Sequence, residues 1–189
     1  MTALATTLVL GGARSGKSSF AEALVRADGR PKIYVATGTA GDREMTERIA
    51  IHRDRRGPDW RTIEEPLRLT DVIARETGQQ TVLLVDCLTL WLSNLMFAER
   101  DSEAETATLV HVLKDAAGPV VLVSNEVGLG LVPDTPLGRR FRDAQGRLNQ
   151  AVAAVASRVV FVAAGLPLDL KADGPHGSGS VALIGMNRS

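Results

Sequence analysis

The sequence is poor in several features that would place it in particular classes of protein. Cys87 is the only cysteine in 189 residues, so neither an internal disulfide framework nor a thiolate zinc cluster can form within the chain. Lys and Arg together number 22, as do Asp and Glu, and this lack of a basic excess argues against a nucleic acid partner. No apolar run reaches the ~18 residues of a membrane-spanning helix, and no basic flank marks a signal peptide. We therefore expect a cytoplasmic protein without a membrane span.

The rest of the composition is typical of one globular domain. Hydrophobic residues make up 44% of the chain and charged residues 23%, both ordinary values. A chain of this length buries a core without disulfides or metals. Beyond Lys171, Gly and Ser become frequent, as they do in loops and disordered segments. We predict one domain over residues 1–171 and a Gly/Ser-rich tail over 172–189 that reads as loop or disorder; whether Val181–Met186 adds an edge strand is left open.

Short apolar runs alternate with longer amphipathic segments along the chain. The runs are rich in Val, Ile and Leu and nearly continuous in hydrophobicity, as strands are when both faces of a parallel sheet are covered. The predicted strands are Thr7–Leu10, Lys32–Ala36, Thr81–Asp86, Val120–Ser124 and Arg158–Ala164. The predicted helices are Lys17–Arg26, Asp42–Arg55, Pro66–Glu76, Thr89–Ala98, Ala104–Ala116 and Pro136–Ala156. This alternation predicts a doubly wound, mostly parallel α/β sheet between two helical layers.

The most specific motif is a phosphate-binding loop (P-loop) directly after the first predicted strand. It reads Gly11, Gly12, Ala13, Arg14, Ser15, Gly16, Lys17 and Ser18, which is G-x-x-x-x-G-K-S in full. Glycines let backbone N–H groups surround phosphate oxygens, and the following helix N-terminus favours negative charge. Lys17 would reach the β and γ phosphates of ATP or GTP. The alternative is a Gly-rich turn without a ligand, which the flanking strand and helix disfavour. We predict a fold of the P-loop NTPase class, of the RecA-like type.

Polar side chains lie at the carboxyl ends of two other predicted strands. Asp86 ends an apolar strand, where a P-loop protein often places the group that orients Mg²⁺, and Ser18 supplies a second oxygen for that metal. The alternative for Asp86 is a cap on the next helix. Asn125 and Glu126 follow the strand Val120–Ser124, so they either contact substrate or serve a turn. The Asn-Lys-x-Asp string expected of a GTPase switch is missing from the sequence.

One histidine lies on the apolar face of a predicted helix. Met45, Ile49 and His52 are spaced i, i+4 and i+7 and therefore share a face. His52 is either a core residue or a group that binds or attacks phosphate. Likewise, the neighbouring Arg53, Asp54, Arg55 and Arg56 are either a solvated helix end or phosphate contacts. His111 and Cys87, by contrast, are expected to pack in the interior.

Several motifs in order resemble one known family. They are the P-loop, Tyr34–Thr37, Arg48–Arg53, Trp60–Glu64, Val85–Thr89, Ser124–Gly128, Val132–Pro133, Phe141–Asp143 and Gly146–Gln150. From about Leu8 to Lys171, the chain resembles the bifunctional adenosylcobinamide kinase / adenosylcobinamide-phosphate guanylyltransferases of cobalamin biosynthesis. Some relatives carry Glu at the position of Asp86, and either carboxylate serves Mg²⁺.

The resemblance implies two reactions and a set of contacts. A nucleoside triphosphate, ATP or GTP, phosphorylates adenosylcobinamide, and GMP from GTP is then transferred to the product through a guanylylated histidine, which corresponds to His52. The implied nucleotide contacts are Ala36, Thr37, Gly38, Arg53 to Arg56, Glu64 and Asp86. The resemblance also suggests a homo-oligomer such as a trimer. The competing hypotheses are a kinase of another small molecule with a structural His52, and a non-catalytic nucleotide-binding module.

Overall fold

A seven-stranded sheet organises the part of the protein that the structure describes. The computed structural model describes residues 5–38 and 59–171. The strands are β1 (Thr7–Gly11), β2 (Lys32–Ala36), β3 (Trp60–Glu64), β4 (Val82–Asp86), β5 (Val120–Asn125), β6 (Arg158–Ala163) and β7 (Leu166–Lys171). Their order across the sheet is β3-β2-β4-β5-β1-β6-β7. All neighbouring pairs are parallel except β6 with β7, which confirms the predicted mostly parallel sheet.

Helices cover both faces of this sheet unequally. They are α1 (Lys17–Asp28), α2 (Leu69–Glu76), α3 (Leu88–Phe97), α4 (Ser102–Lys114) and α5 (Pro136–Val155). The face packed by α1 holds Val9, Leu84 and Val123 together with Ala21 and Val25 of the helix. The other four described helices pack with the strands in the opposite core layer. The three-layer α/β/α arrangement therefore follows from burying both faces of each central strand.

The two strands that the sequence analysis missed lie at the two edges of the sheet. In β3 only Trp60 is buried, and β2 is its one neighbour among the described strands. In β7 only Pro167 is buried, and a proline is tolerated in a strand at a sheet edge. Edge strands are partly exposed to solvent, and polar residues interrupt their apolar ones. They therefore lack the continuous apolar run by which the central strands were recognised.

The described helices agree with the predicted ones to within a few residues. Asp101 caps α4 by accepting hydrogen bonds from Glu103 N at 2.9 Å and Ala104 N at 3.1 Å, so this helix begins before its predicted start. Thr135 caps α5, whose first residue is Pro136. The predicted helix Asp42–Arg55, the tail and Val181–Met186 lie outside the described residues.

Two predictions about single side chains have different outcomes. Cys87 is buried, as expected. The expectation that His111 packs in the interior is wrong: its side chain is 78% exposed and lies 3.5 Å from that of Asp115, the residue that follows the end of α4. Leu109 and Leu113 hold the buried stripe of that helix instead. Among the helices of the described residues, none combines the length and apolar character needed to cross a bilayer.

The turn between β6 and β7 has two residues in the left-handed region. Ala163 pairs with Leu166, and Ala164 and Gly165 between them have φ of 50° and 80°. Two successive positive φ angles are typical of the type I′ turn that suits a two-residue hairpin. Glycine adopts this conformation readily, whereas alanine is strained in it.

Replacing Ala164 by asparagine is expected to raise the free energy of unfolding by about 0.5–1 kcal/mol, because asparagine tolerates the left-handed region better than alanine. Gly165→Ala is expected to lower it by about 1 kcal/mol. A methyl group at residue 165 would meet no atom within 4 Å, so this second variant isolates the backbone effect. Urea unfolding of both variants beside the wild type measures the two changes, and equal signs would contradict the turn assignment.

Candidate active site

The P-loop connects the end of β1 to the start of α1. Gly16, at the N-cap of α1, has φ of 94°. Ser15 N donates to Gly12 O at 3.3 Å, and the Lys17 ammonium donates to the same carbonyl at 3.1 Å. The loop therefore curls back on itself and draws the lysine side chain across it. Backbone amides at a helix start together with an ammonium group provide an anion-binding site.

Two of the glycines are required by close contacts. A Cβ at Gly11 would lie 2.5 Å from both Ser15 Oγ and Val162 O, and one at Gly16 would lie 3.1 Å from Gly165 Cα. The close neighbour of Gly16 belongs to the β6–β7 turn. Gly165 N also donates to Ser15 O at 2.8 Å. The hairpin turn therefore supports the P-loop from one side, a relation that no local sequence motif revealed.

The sequence-predicted site residues in the described ranges converge on the carboxyl edge of the sheet. Gly11 is in register with Asn125, Asp86 with Val123, and Ala36 with both Asp86 and Glu64. The ends of five parallel strands thus lie side by side. Glu64 is exposed at the end of the edge strand, where its carboxylate is accessible to a ligand. This edge is where open α/β sheets bind ligands.

Asp86 lies at the end of β4 on the sheet face that α1 covers. The Tyr34 hydroxyl donates to its carboxylate at 3.3 Å. The N-cap of α3 is Cys87, without a side-chain cap bond, so the helix-cap alternative for Asp86 is not supported. Because α1 packs against β4, Ser18 in the first turn of α1 and Asp86 belong to the same region of the molecule.

The chemistry of these oxygens fits Mg²⁺ bound together with a nucleotide. Mg²⁺ in such sites takes one or two protein oxygens, and the substrate phosphates and waters complete its coordination. Ser18 and Asp86 supply a hydroxyl and a carboxylate. Within residues 5–38 and 59–171, no group of three or more His, Cys, Asp or Glu side chains is placed to hold a metal. The donor set therefore suits a metal that arrives with triphosphate rather than a closed structural site.

The cysteine next to Asp86 is unsuited to nucleophilic chemistry. Burial, followed by the charge of Asp86, raises the pKa of the Cys87 thiol to about 11. The Lys17 ammonium has a smaller opposite effect, so the P-loop lysine lies within electrostatic range of the end of β4. A thiol with this pKa stays neutral near pH 7 and is a poor nucleophile.

Thr37 has a structural task at this edge. It is fully buried, and its hydroxyl donates to Cys87 O at 2.7 Å and accepts from Cys87 N at 2.9 Å. Asn94 Nδ2 donates to Thr37 O at 2.7 Å. Thr37 thereby joins the ends of β2 and β4, and its expected contact with the nucleotide stays a prediction. Ala36 is nearly buried beside it, whereas Gly38 is partly exposed.

The loop after β5 is tied to the P-loop. Glu126 N donates to Gly11 O at 3.1 Å, so the chain beyond β5 continues along the start of the loop. The Glu126 carboxylate accepts from Gly128 N at 2.6 Å. Glu126 therefore has the turn role that was one of its two predicted alternatives.

A buried polar network beneath the end of β5 is a feature that the sequence analysis missed. Ser124 Oγ donates to Asn149 Oδ1 at 2.7 Å, and Gln145 Nε2 donates to both at 3.0 Å. All three residues are buried. The spacing of Gln145 and Asn149 on one face of α5 was visible in the sequence, but their partner comes from a distant strand. The network fixes the position of α5 along its axis relative to the end of β5.

His52, Arg53, Asp54, Arg55 and Arg56 lie outside the described residues, and their predicted roles stay predictions. The structure brings together Gly11 to Ser18, Ala36 to Gly38, Glu64 and Asp86 at one edge. The arrangement is able to bind a nucleoside triphosphate with its phosphates at α1.

Solved structures similar to this one support the fold. A structure from Pyrococcus horikoshii OT3 has a TM-score of 0.57 and 10% identity, covering 97% of this chain and 94% of that one. A prototypical ATPase from the type III secretion system of pathogenic bacteria has a TM-score of 0.54 and 13% identity, covering 83% of this chain and 50% of that one. Both likenesses concern the fold alone, and they agree with the P-loop NTPase architecture.

Sequence relatives are much closer. The bifunctional adenosylcobalamin biosynthesis protein CobP of Pseudomonas aeruginosa is 49% identical over 168 residues, 88% of this chain and 97% of that protein. The bifunctional adenosylcobalamin biosynthesis protein CobU of Escherichia coli K12 is 39% identical over 179 residues, 87% and 98% of the two chains. The profile of one family, described as cobinamide kinase / cobinamide phosphate guanyltransferase, matches residues 7–170. The chain therefore belongs to the cobinamide kinase / cobinamide phosphate guanyltransferase family.

Proposed function

We propose that this protein phosphorylates adenosylcobinamide with a nucleoside triphosphate and then transfers GMP from GTP to the resulting phosphate, giving adenosylcobinamide-GDP. The observation that supports this most directly is the family match over residues 7–170, combined with a complete P-loop beside Asp86 at the carboxyl edge of the sheet. The relatives are almost entirely covered by the alignments, so both activities are expected in this one chain.

In the kinase step, the aminopropanol hydroxyl of adenosylcobinamide attacks the γ phosphorus of the triphosphate. A new oxygen–phosphorus bond forms, the bond between the γ phosphorus and the β–γ bridging oxygen breaks, and a nucleoside diphosphate and a proton leave. Lys17 and the amides at the start of α1 stabilise the charge on the phosphates. Catalysis in such reactions depends mostly on positioning and charge stabilisation, which the supported P-loop provides.

In the guanylyl transfer, an imidazole nitrogen of His52 attacks the α phosphorus of GTP. Pyrophosphate leaves, and its charge is received by the P-loop. An oxygen of the corrinoid phosphate then attacks the α phosphorus, the nitrogen–phosphorus bond breaks, and His52 is regenerated. Arg53, Arg55 and Arg56 would neutralise the anionic groups. The support for this assignment is the position of His52 within the family-like segment Arg48–Arg53.

We also propose Mg²⁺ as the metal of both steps, held with the nucleotide by Ser18 and Asp86. When bound, Mg²⁺ neutralises phosphate charge and polarises the phosphoryl oxygens. Glu64, exposed beside Ala36, is proposed to accept hydrogen bonds from guanine or ribose. We further propose a cytoplasmic location and a homo-oligomer such as a trimer. A corrinoid is much larger than a nucleotide, and a cleft shared between subunits would accommodate it.

The covalent intermediate is testable directly. With Mg²⁺ and GTP labelled at the α phosphate, the protein is expected to retain label after denaturation. The label should survive base and be lost in mild acid, because a phosphoramidate is acid-labile. His52→Ala is expected to abolish labelling and guanylyl transfer while sparing phosphorylation.

His111→Ala is the matched control, because His111 is exposed on α4 and should leave labelling unchanged. Label on a site other than His52, or none despite confirmed GTP binding, would exclude the histidine mechanism. A small-molecule kinase without a covalent intermediate would then be the better account.

Removing the P-loop ammonium is expected to impair both reactions. Lys17→Ala should lower kcat/KM for phosphorylation and for guanylyl transfer by about 100- to 1000-fold, the usual effect of losing one preorganised charge-stabilising donor. The control is Lys114→Ala, at the exposed end of α4. Initial rates with saturating Mg²⁺ measure the effect, and full activity of the Lys17 variant in both assays would refute the P-loop assignment.

The metal role of Asp86 has its own signature. Asp86→Asn keeps the size of the side chain but removes its charge, so the Mg²⁺ concentration giving half-maximal rate should rise about 10- to 100-fold. Asp134→Asn, on an exposed loop, serves as the control. A Mg²⁺ dependence equal to that of the wild type, in a variant with reduced activity, would assign Asp86 a different role.

A further inference from the structure

Asn125 occupies a central position at the ligand-binding edge. It is the last residue of β5 and is in register with Gly11, the first residue of the P-loop. Since neighbouring strands lie roughly 5 Å apart, the Asn125 backbone is adjacent to the loop. In the sheet order β5 lies between β1 and β4. Asn125 therefore lies between the phosphate-binding loop and the strand that ends in Asp86.

The alternation of side chains places Asn125 on the same face as α1. Val121 and Val123 of β5 pack in the core layer that includes α1, whereas Val120 and Leu122 pack in the opposite layer. Side chains two residues apart share a face of a strand, so Asn125 follows Val123 on the α1 side. Asp86, in register with Val123, follows Leu84 on that side too. The amide, the carboxylate and the start of α1 thus surround one space.

The backbone of Asn125 is held from several directions. Its N–H donates to Thr89 Oγ1 at 2.8 Å, and its carbonyl accepts from Asn149 Nδ2 at 3.1 Å. Asn149 is itself fixed by the buried network with Ser124 and Gln145. The next residue, Glu126, donates to Gly11 O. These contacts fix the direction in which the Asn125 side chain leaves the sheet.

The side-chain oxygen of Asn125, by contrast, is inaccessible to solvent and has no hydrogen-bond partner among the described residues. A buried amide oxygen without a donor is energetically costly, and a hydrogen-bond donor on a ligand would remove that cost. Gln145 Oε1 is also buried without a hydrogen-bond partner, but the whole of Gln145 is buried on the other face of the sheet. Asn125 is partly exposed at the edge itself.

We propose that Asn125 is a further catalytic residue of the phosphorylation step, an inference that depends on the proposed function. Its Oδ1 accepts a hydrogen bond from the attacking hydroxyl of the corrinoid side chain. An amide oxygen accepts from a hydroxyl but repels a phosphate oxygen, so Oδ1 selects the alcohol. The amide aligns the hydroxyl with the phosphorus; the proton leaves with the transferred phosphoryl group and passes to water.

This role distinguishes the two reactions of the protein. In guanylyl transfer the attacking group is a phosphate oxygen of the corrinoid, which carries no hydroxyl proton near neutral pH for Oδ1 to accept. Loss of the amide should therefore affect phosphorylation and leave guanylyl transfer nearly unchanged. A purely structural asparagine would affect both reactions alike, because both use the same loop.

The test uses Asn125→Leu, which keeps the approximate shape but removes hydrogen bonding, and Asn125→Ala in case leucine prevents folding. Phosphorylation of adenosylcobinamide is expected to fall about 10- to 1000-fold. Guanylyl transfer to separately prepared adenosylcobinamide phosphate is expected to stay within about threefold, the usual range of a neutral change, and the Tm should not fall. Gln80→Ala, an exposed amide in the turn before β4, is the control.

Equal losses in both reactions, or a raised Mg²⁺ requirement in both, would overturn the proposal in favour of a structural or metal-facing role. Unchanged phosphorylation would also overturn it. If the wild type itself fails to phosphorylate adenosylcobinamide, the proposed function is at fault. In that case nucleotide hydrolysis, in which water takes the place of the attacking hydroxyl, tests the role of Asn125. A lower hydrolysis rate in the Asn125 variant but not in the Gln80 control supports the role, and a rate equal to that of the wild type excludes it.

Discussion

The tight backbone path between Gly11 and Lys17 is the constraint on which the site depends. The loop turns so sharply that a Cβ at Gly11 would collide with Ser15 and with the Val162 carbonyl. It is also bound on both sides: Glu126 N donates to Gly11 O, and Gly165 N donates to Ser15 O. A loop of amides that recognises phosphate must keep its shape before the ligand arrives, since ordering it on binding would reduce affinity. The loop after β5 and the turn between β6 and β7 supply that order.

The unequal covering of the sheet determines where polar groups gather. On one face α2 to α5 fill the core layer, and the Ser124–Gln145–Asn149 network is satisfied almost entirely within the protein. On the other face α1 is the only described helix, and it begins at the P-loop. Beyond the apolar residues that α1 covers, Asp86 and Asn125 face the same open end of the sheet. The polar groups that hold the structure together therefore lie on one face of β5, and those proposed to act on ligands lie on the other.

Much of the architecture and part of the site were predictable from local patterns. The five central strands were recognised by apolar runs, because burial on both faces leaves no polar alternation. The P-loop was recognised by residues whose spacing is dictated by phosphate geometry. The edge strands β3 and β7 were missed because exposure dilutes their apolar signal. His111 was misplaced for a related reason: apolar neighbours on both sides suggested burial, whereas the turn of the helix points it to solvent.

What the sequence by itself determined was a set of local motifs: a complete phosphate-loop pattern, a carboxylate at the end of β4, and a histidine segment similar to that of the family. These depend on residue type and short spacing, which are local properties. Only the tertiary structure decided that Thr37 joins two strand ends, that Gly165 supports the P-loop, and that Asn125 shares a face with Asp86. Each of these relations joins residues far apart in the chain, through strand register and hydrogen bonds that exist only once the sheet has formed.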